Sequence, residues 1–393
     1  MKFSPYIQHV QFPPITEVKS WLAGVEVGTG RPLVDLCQAI PDYAPHPELI
    51  GHLRGLIGEP ALARYGPDEG MPEVREAVSA WYGRRYGGGP TPEELCLTIG
   101  ASQAYWLAIM ATCRAGDEVI VQLPAYFDHP MALQALGIRC VWAPFEEESR
   151  GLPDLATIAS LVTERTRAIL LVTPSNPTGA VIPPATLKGL FDLSREHDIA
   201  LILDETYNAF LPPGQSPHAL FDEPNWQQHF IQVASFGKTF ALTGFRAGAL
   251  VAGQEVIRQA LKVQDTMAVC QPRITQEAVR FGCERLDAWV DGNAMMMQRR
   301  HDDFCELFHA ANCGFDLAAS GGFFAWVRHP WPKRTGRDVA RHLVEKGHLL
   351  CLPGEAFGPG LERYLRLAFG NIHQEQIPAA IARFTEVASG STP

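Results

Sequence analysis

Short apolar runs alternate with stretches of helical period through the middle of the chain. Seven of these runs, each rich in Val, Ile and Leu, predict β-strands: Leu95–Ile99, Glu118–Leu123, Arg139–Ala143, Arg167–Thr173, Ala200–Asp204, Ile231–Ser235 and Gly248–Ala252. Between many of them the apolar positions repeat with the period of a helix, as at Ser102–Ala115, Leu155–Val162 and Ala185–His197. Apolar strands separated by helices are typical of βαβ units, and therefore of a mainly parallel sheet flanked by helices.

The pattern changes from about residue 283, where a long helical stretch is followed by "GGFFAWVRH", "HLLCLPG" and "YLRLAFG". This order predicts a smaller α+β domain. The first 45 residues are rich in proline and irregular, and we expect them to pack against it. We therefore predict a large α/β domain over residues 46–285 with a mostly parallel seven-stranded sheet, and a small domain formed by residues 1–45 and 286–393.

Composition excludes several classes of protein. The chain has 393 residues, of which 46% are hydrophobic and 19% charged, as is ordinary for a soluble globular protein. Its formal charge of -10 and the lack of a basic tract argue against a nucleic-acid partner. No apolar run approaches the roughly 18 residues of a membrane span, and the N-terminal stretch does not read as a secretory signal.

The nine cysteines include no Cys-x-x-Cys pair, and the thirteen histidines include no His-Glu-x-x-His. This spacing favours reduced thiols in a cytoplasmic protein over a disulfide framework or a metal site.

Polar and aromatic residues follow five of the predicted strands. In open α/β sheets ligands bind beyond the carboxyl ends of the strands, so these positions matter most for function. Each alone has an ordinary structural explanation as a turn, a cap or a packed ring. The residues are Ala101 and Ser102 after the first strand, Tyr126 after the second, then Asn176, then Asp204 and Tyr207, and finally Ser235, Lys238 and Arg246.

Lys238 has the most unusual surroundings, since the segment "SFGKTFALTGFRAG" (235–248) is almost entirely apolar around it. Burial disfavours an ammonium ion and favours the neutral amine, which is a nucleophile. The small residues at 100–102 open a predicted helix, whose first amides would bind an anion. A phosphate cradle, an aromatic ring, an amide, a carboxylate and an amine together suit a phosphorylated aromatic aldehyde. We therefore predict pyridoxal 5′-phosphate (PLP) as the cofactor.

These residues resemble those of the fold-type I PLP-dependent aminotransferases of class I/II, the aspartate and aromatic aminotransferase superfamily. The similarity runs in order over nearly the whole chain. The motifs are "DLCQAIPDYAPHPEL" (35–49), "RYGPDEGMPEVREAV" (64–78), "TIGASQA" (98–104), "PSNPTG" (174–179), "DETY" (204–207), "SFGKTFALTGFRAG" (235–248) and "PGEAFGPG…YLRLAFG" (353–370).

The resemblance implies a role for each matching residue around the cofactor. Lys238 would form the internal aldimine (a Schiff base) and move the substrate proton, and Asp204 would pair with the pyridine nitrogen. Tyr207 and Asn176 would bind the ring hydroxyl, and Tyr126 would stack on the ring. The remaining cofactor contacts, all to the phosphate, would come from Ala101, Ser102, Ser235 and Arg246.

The resemblance further implies that Arg366 grips the substrate α-carboxylate, beside Asn176 and the backbone of Ala39. Tyr65 matches a tyrosine that reaches the phosphate of the neighbouring subunit, so a homodimer with sites at its interface is expected. The implied reaction moves an amino group from an L-amino acid to a 2-oxo acid. A carbon–sulfur β-lyase or a related synthase on the same fold would use the same residues and remains the alternative.

Two positions depart from the family pattern. Ala39 stands where glycine is usual, so its methyl group would reshape a contact to the substrate carboxylate. Dicarboxylate-specific members carry a second arginine where our alignment has Thr266, and nearby Arg273 is predicted to begin the next helix. An aspartate-type substrate is therefore doubtful, and neutral, aromatic and basic amino acids remain open.

Other enzyme classes fit the motifs poorly. A P-loop would need a glycine where Gln232 stands, five positions before Gly237. "GTGRPL" at 28–33 lacks the third glycine of a dinucleotide site and follows no strand, and the chain has no Gly-x-Ser-x-Gly.

Overall fold

The computed structural model describes residues 1–25, 28 and 30–390 of the chain. Its strands are β1 (Val34–Asp35), β2 (Leu95–Ile99), β3 (Glu118–Gln122), β4 (Arg139–Ala143), β5 (Thr166–Val172), β6 (Ala200–Asp204), β7 (Phe230–Ser235), β8 (Ala247–Val251), β9 (Asp316–Gly321), β10 (Phe324–Arg328), β11 (Leu349–Leu350), β12 (Leu352–Pro353) and β13 (Tyr364–Ala368). Its helices are α1 (Pro5–His9), α2 (Pro14–Ser20), α3 (Pro47–Leu56), α4 (Pro72–Tyr86), α5 (Gly100–Thr112), α6 (Asp128–Ala135), α7 (Leu155–Leu161), α8 (Pro184–Glu196), α9 (Phe236–Thr239), α10 (Gln254–Ala268), α11 (Arg273–Arg285), α12 (Asp287–Ala311), α13 (Gly336–His342) and α14 (Ile377–Ser389).

The seven predicted strands form one sheet in the order β2-β8-β7-β6-β5-β3-β4. All neighbours are parallel except β8, which runs antiparallel to both β2 and β7. The predicted sheet is thus confirmed, with each strand end within one residue of its expected position.

Both faces of this sheet are buried, which explains why its strands are apolar throughout. On β6, Leu201 and Leu203 face one hydrophobic core, whereas Ile202 between them faces the other. Val74 and Val78 of α4 lie in the first core, and helix α5 contributes to the second. Successive side chains along a strand point to opposite faces of the sheet. When helices cover both faces, all positions are buried, so the strand sequence is a continuous apolar run without polar alternation.

The smaller domain is built on a four-stranded antiparallel sheet in the order β12-β13-β10-β9. Its core combines side chains from α12, such as Phe304 and Phe308, with Phe384 of α14. This is the α+β pattern expected from the C-terminal third of the sequence.

The N-terminal segment contacts both domains. Strand β1 pairs with β11 of the small domain, and Val34 lies in the small-domain core. Helix α1, however, lies against α6 of the large domain, where the Tyr6 ring packs over Gly137. Gly137 makes this possible because an added Cβ would lie 2.7 Å from the Tyr6 ring. The division into domains stays a prediction. The predicted ranges include residues 26, 27, 29 and 391–393, which lie outside the described residues. One of these residues, Thr29, belongs to the "GTGRPL" segment.

Within the described ranges, no helix has the length and apolar character required to cross a membrane.

Candidate active site

A cavity of about 380 Å³ opens at the carboxyl ends of the parallel strands, between the two domains. This is the edge at which ligands bind in open α/β sheets, and the volume is within the range of small-molecule sites. Eleven of the twelve residues predicted for the site line it: Ala39, Ala101, Ser102, Tyr126, Asn176, Asp204, Tyr207, Ser235, Lys238, Arg246 and Arg366.

The topology explains this convergence. Strands β2, β3, β5, β6 and β7 run in the same direction, so the residues that follow each of them meet at one edge of the sheet. The small domain adds Arg366 from β13, and the N-terminal segment adds Ala39.

Tyr65 is the exception. Its side chain is 79% exposed and it does not line the cavity of its own chain. Its predicted contact with a neighbouring subunit stays a prediction.

The position of Lys238 at the cavity is set by the short helix that carries it and by a hydrogen bond to the N-terminal segment. It lies on the short helix α9 directly after β7, and its Nζ donates a hydrogen bond to the carbonyl oxygen of Ala39 at 2.8 Å. Burial lowers the pKa of the Lys238 amine to about 8, with further lowering from Arg246 and Arg366 and an opposing effect from Asp204. Near neutral pH an appreciable fraction of this amine is therefore unprotonated and able to act as a nucleophile or base.

Asp204, at the end of β6, is buried and directed by two hydrogen bonds. Its Oδ1 accepts from the backbone amide of Thr206 at 3.0 Å, and its Oδ2 lies 3.1 Å from Nε2 of His129. The other ring nitrogen of His129, Nδ1, is buried and has no partner among the described residues. The carboxylate is thus fixed in place and borders the cavity, as a partner for a ring cation would need.

His129 was missed by the sequence analysis. It lies in the first turn of α6, is buried, and packs against the ring of Tyr105 at 4.4 Å between centroids. Nothing in the sequence distinguishes His129 from the other twelve histidines, because its contact with Asp204 depends on how α6 packs against the sheet.

A positively charged corner forms where α5 begins. Gly100 has a φ of +74°, and a Cβ added there would lie 2.6 Å from Nη2 of Arg246. The guanidinium is therefore held against the N-terminus of α5, whose first amides have no partner in a preceding turn. Ser235, Ala101 and Ser102 line the same cavity as Arg246. Two positive groups at such close range favour a bound anion between them, and the donor set fits a phosphate.

Arg366 is 1% exposed and lies between two aromatic rings, with its Cζ 5.7 Å from the centroid of Phe324 and 5.6 Å from that of Phe357. Its Nη1 donates to Oδ1 of Asn176 at 3.2 Å, and its Nη2 donates to the carbonyl oxygen of Cys37. Burial lowers the pKa of Arg366, and its Nε finds no hydrogen-bond partner in the part of the chain that the structure describes. Among the described residues no carboxylate forms an ion pair with Arg366, and a buried guanidinium in that setting is suited to bind a carboxylate from a ligand.

Tyr207 and Tyr126 complete the polar lining. Burial raises the pKa of Tyr207, although Arg366 and a hydrogen bond with Asn176 oppose that rise. The Tyr126 hydroxyl donates to Oδ2 of Asp128 at 2.6 Å, which holds in place a side chain that lines the cavity. Both phenols are therefore neutral hydrogen-bonding groups near pH 7.

Thr266 and Arg273, the two residues considered for a second carboxylate contact, do not line this cavity. Thr266 donates to the carbonyl of Val263 on α10, and Arg273 begins α11 as expected.

Comparison with known proteins agrees with this geometry. The family model for aminotransferase class I and II matches residues 31–384. The chain is 30% identical over 371 residues to a probable aspartate/prephenate aminotransferase of Thermus aquaticus, covering 91% of this chain and 92% of that one. It is 26% identical over 378 residues to the aromatic aminotransferase ISS1 of Arabidopsis thaliana, covering 94% and 92%.

Among solved structures, aspartate aminotransferase of Thermus thermophilus with maleate superposes with a TM-score of 0.88 at 28% identity, covering 98% of this chain and 100% of that one. A substrate-bound structure of BacF from Bacillus subtilis gives a TM-score of 0.89 at 25% identity, with both chains fully covered. The match over most of the chain confirms the resemblance seen in its motifs: the protein belongs to the class I and II aminotransferase family.

Proposed function

We propose that the protein is a PLP-dependent aminotransferase that moves an amino group from an L-amino acid to a 2-oxo acid. The observation that carries this proposal is the cavity itself. It brings together an amine of lowered pKa, a buried carboxylate, an anion corner and a buried arginine, drawn from the ends of β2, β6 and β7 and from the small domain.

The residues present fit the cofactor. The α5 amides of Ala101 and Ser102, with Ser235 and Arg246, would hold its phosphate. Tyr126 would face the ring, and Asp204 would pair with the ring nitrogen. When bound, PLP supplies a conjugated cationic ring that absorbs the electron pair left when a Cα proton is removed.

Lys238 is proposed to bond covalently to the cofactor aldehyde in the resting enzyme and to carry the proton during the reaction. Because its pKa is about 8 rather than the ordinary 10.5, about a tenth of the amine is unprotonated at pH 7, and little free energy separates its two protonation states. The same group can therefore accept a proton from the substrate Cα and return it. The carbonyl of Ala39, 2.8 Å away, holds the free amine at the cavity wall.

Arg366 is proposed to bind the substrate α-carboxylate through the two amino groups of its guanidinium. The ring faces of Phe324 and Phe357 hold it in one orientation and exclude water. Asn176 is hydrogen-bonded to both Arg366 and Tyr207, and it would therefore fix the position of the substrate carboxylate relative to the ring hydroxyl of the cofactor. This pairing fixes the substrate Cα relative to Lys238.

The rest of the cavity wall favours a donor with a neutral, apolar side chain. Its apolar part comes from Val10 and Ile15 of the N-terminal segment and from Ile40, Trp106 and Met131, and the polar residues beside them include Gln38 and Asp128. The cationic side chains among the described lining residues are Lys238, Arg246 and Arg366, and each already has a proposed partner. A side-chain carboxylate on the substrate would therefore enter a largely apolar pocket without a cationic partner of its own among these residues, at a cost of several kcal/mol.

We also propose a homodimer, in which the exposed Tyr65 reaches the phosphate of the neighbouring site. A cytoplasmic location is proposed because all nine cysteines are free, as expected for a reducing compartment.

The test is the visible spectrum of the protein with PLP, recorded before and after addition of phenylalanine, leucine, aspartate or lysine. We expect a yellow protein that is bleached by the apolar amino acids, with release of the matching 2-oxo acid. Lys238→Ala should abolish turnover, whereas Lys262→Ala, at an exposed lysine, should not. Full transaminase activity in Lys238→Ala would overturn the proposal, and release of ammonia and pyruvate from a β-substituted amino acid would assign the lyase reaction instead.

A further inference from the structure

A cluster of three reactive side chains lies outside the candidate active site. It consists of Cys305 and His301, one turn apart on α12, and Ser320 on the neighbouring strand β9. The Cys305 sulfur is 3.5 Å from Nε2 of His301 and 3.5 Å from the Ser320 hydroxyl, and these two groups are 3.1 Å from each other. On the opposite side of the imidazole, Nδ1 of His301 lies 3.3 Å from Oδ1 of Asp302. A sulfur beside a base that is oriented by a carboxylate is an arrangement that activates a thiol.

Two members of the cluster border a second cavity of about 380 Å³ between the domains, since His301 and Ser320 are among its lining residues. Cys305 is not a lining residue, but it touches both of them and is half-buried rather than fully buried. This cavity is distinct from the candidate active site, with Tyr207 as the lining residue that the two share.

Comparison with the other half-buried cysteines shows what the cluster changes. Burial raises the pKa of Cys113 to about 11 and that of Cys140 to about 12. Burial acts on Cys305 in the same direction, but hydrogen bonds from His301 and Ser320 and the charge of His301 outweigh it, so the pKa of Cys305 lies below its ordinary value. The negative charge of Asp302 acts in the opposite direction and raises the pKa of Cys305. The neighbour of His301 on the remaining side is the apolar ring of Phe369, 6.2 Å away between centroids.

We propose that Cys305 is a modification site at which a peroxide oxidises the thiolate to a sulfenic acid, with His301 and Ser320 as the activating groups. The sulfur attacks one peroxide oxygen, so that an S–O bond forms and the O–O bond breaks. The leaving oxygen departs as hydroxide or alkoxide and takes the proton from His301 Nε2, giving water or an alcohol. Sulfur is oxidised by two electrons and the peroxide is reduced by two.

The first test measures which cysteine reacts, and it does not depend on the proposed aminotransferase reaction. The full-length protein with PLP is treated with limiting iodoacetamide from pH 5 to 9, and each cysteine-containing peptide is quantified by mass spectrometry. Since each pKa unit changes the thiolate fraction about tenfold, Cys305 should be alkylated more than about tenfold faster than Cys113 or Cys140 at pH 7. Equal rates at the three positions would overturn the proposal.

The variants test the cluster itself. His301→Gln keeps a polar side chain but removes the imidazole, and Ser320→Ala removes only the hydroxyl. Both should move the pH midpoint of Cys305 labelling upward, while the labelling of Cys113 stays as in the wild type. An unchanged midpoint in Ser320→Ala and in a folded His301→Gln protein would show that the cluster does not activate the thiol.

The last test uses hydrogen peroxide with dimedone, which traps sulfenic acids. Trapping at Cys305 that is lost in Cys305→Ser and kept in Cys140→Ser supports the proposal. Trapping spread over all half-buried cysteines would contradict it.

Discussion

Lys238 should destabilise the protein when no cofactor is bound, because its amine is protonated in an environment that disfavours charge. Its pKa falls from 10.5 to about 8 on folding. This difference corresponds to about 3 kcal/mol of folding free energy, part of which solvent in the cavity relieves, so we take about 2 kcal/mol. Replacing the lysine by methionine removes the buried charge while keeping most of the side-chain volume.

The pH dependence has a definite sign. Below pH 8 the lysine is protonated in both the folded and the unfolded chain, and the wild type carries the full cost. Between pH 8 and 10.5 the folded protein has released the proton while the unfolded chain still holds it, so the stability of the wild type rises with pH. Lys238→Met also loses the hydrogen bond to Ala39, which contributes about 1 kcal/mol. We therefore expect this variant to be about 1 kcal/mol more stable than the wild type at pH 7, and less stable than it near pH 10.

The assay is urea unfolding of both apoproteins, followed by tryptophan fluorescence from pH 6.5 to 10. Other groups that titrate in this range act alike on both proteins and cancel in the difference. Lys262→Met, at an exposed position, serves as the control and should show no such trend. A difference between Lys238→Met and the wild type that stays constant with pH would refute the reasoning.

Three further substitutions test other parts of the structure. Arg366→Lys should raise the KM for amino acids at least about tenfold, with PLP affinity in an absorbance titration unchanged, because lysine cannot bind a carboxylate in a bidentate manner. Gly179→Ala should destabilise by about 2 kcal/mol or more in urea, since a Cβ at its φ of +74° would overlap the Gly321 backbone; Gly214→Ala, with a φ of +79° in open space, should cost less. His218→Leu removes a hydrogen-bond partner of the buried Glu205 carboxylate, whose Oε2 lies 3.1 Å from the imidazole, and should cost about 1–3 kcal/mol by the same measurement.

The strands of the large sheet were predictable because each is marked by the residues of its own short segment. A strand buried on both faces reads as an uninterrupted apolar run, and the seven runs gave strand ends within one residue. The placement of Asn176, Asp204 and Lys238 at one edge then follows from parallel strand direction alone. Their convergence required no knowledge of side-chain packing.

Other features depend on packing between distant segments, which the sequence does not specify. His129 reaches Asp204 because α6 is seated against the sheet, and Val10 reaches the same cavity because Tyr6 fits over Gly137. Ser320 meets Cys305 only through the way α12 packs against β9. Hydrophobic periodicity identifies such elements but says little about which polar side chains meet across them.

The long helix α12 has a consequence for where the chain can be divided. Its first turns belong to the large domain: Val290 lies in that core, and Arg84 and Arg85 of α4 bind Asp287 and Asp291 at 2.7 and 2.5 Å. Further along the same helix, Phe304 and Phe308 fill the small-domain core. A cut before α12 would remove Val290 from the large-domain core, and a cut after α12 would remove Phe304 and Phe308 from the small-domain core. We therefore expect truncation on either side of this helix to destabilise the domain that loses it.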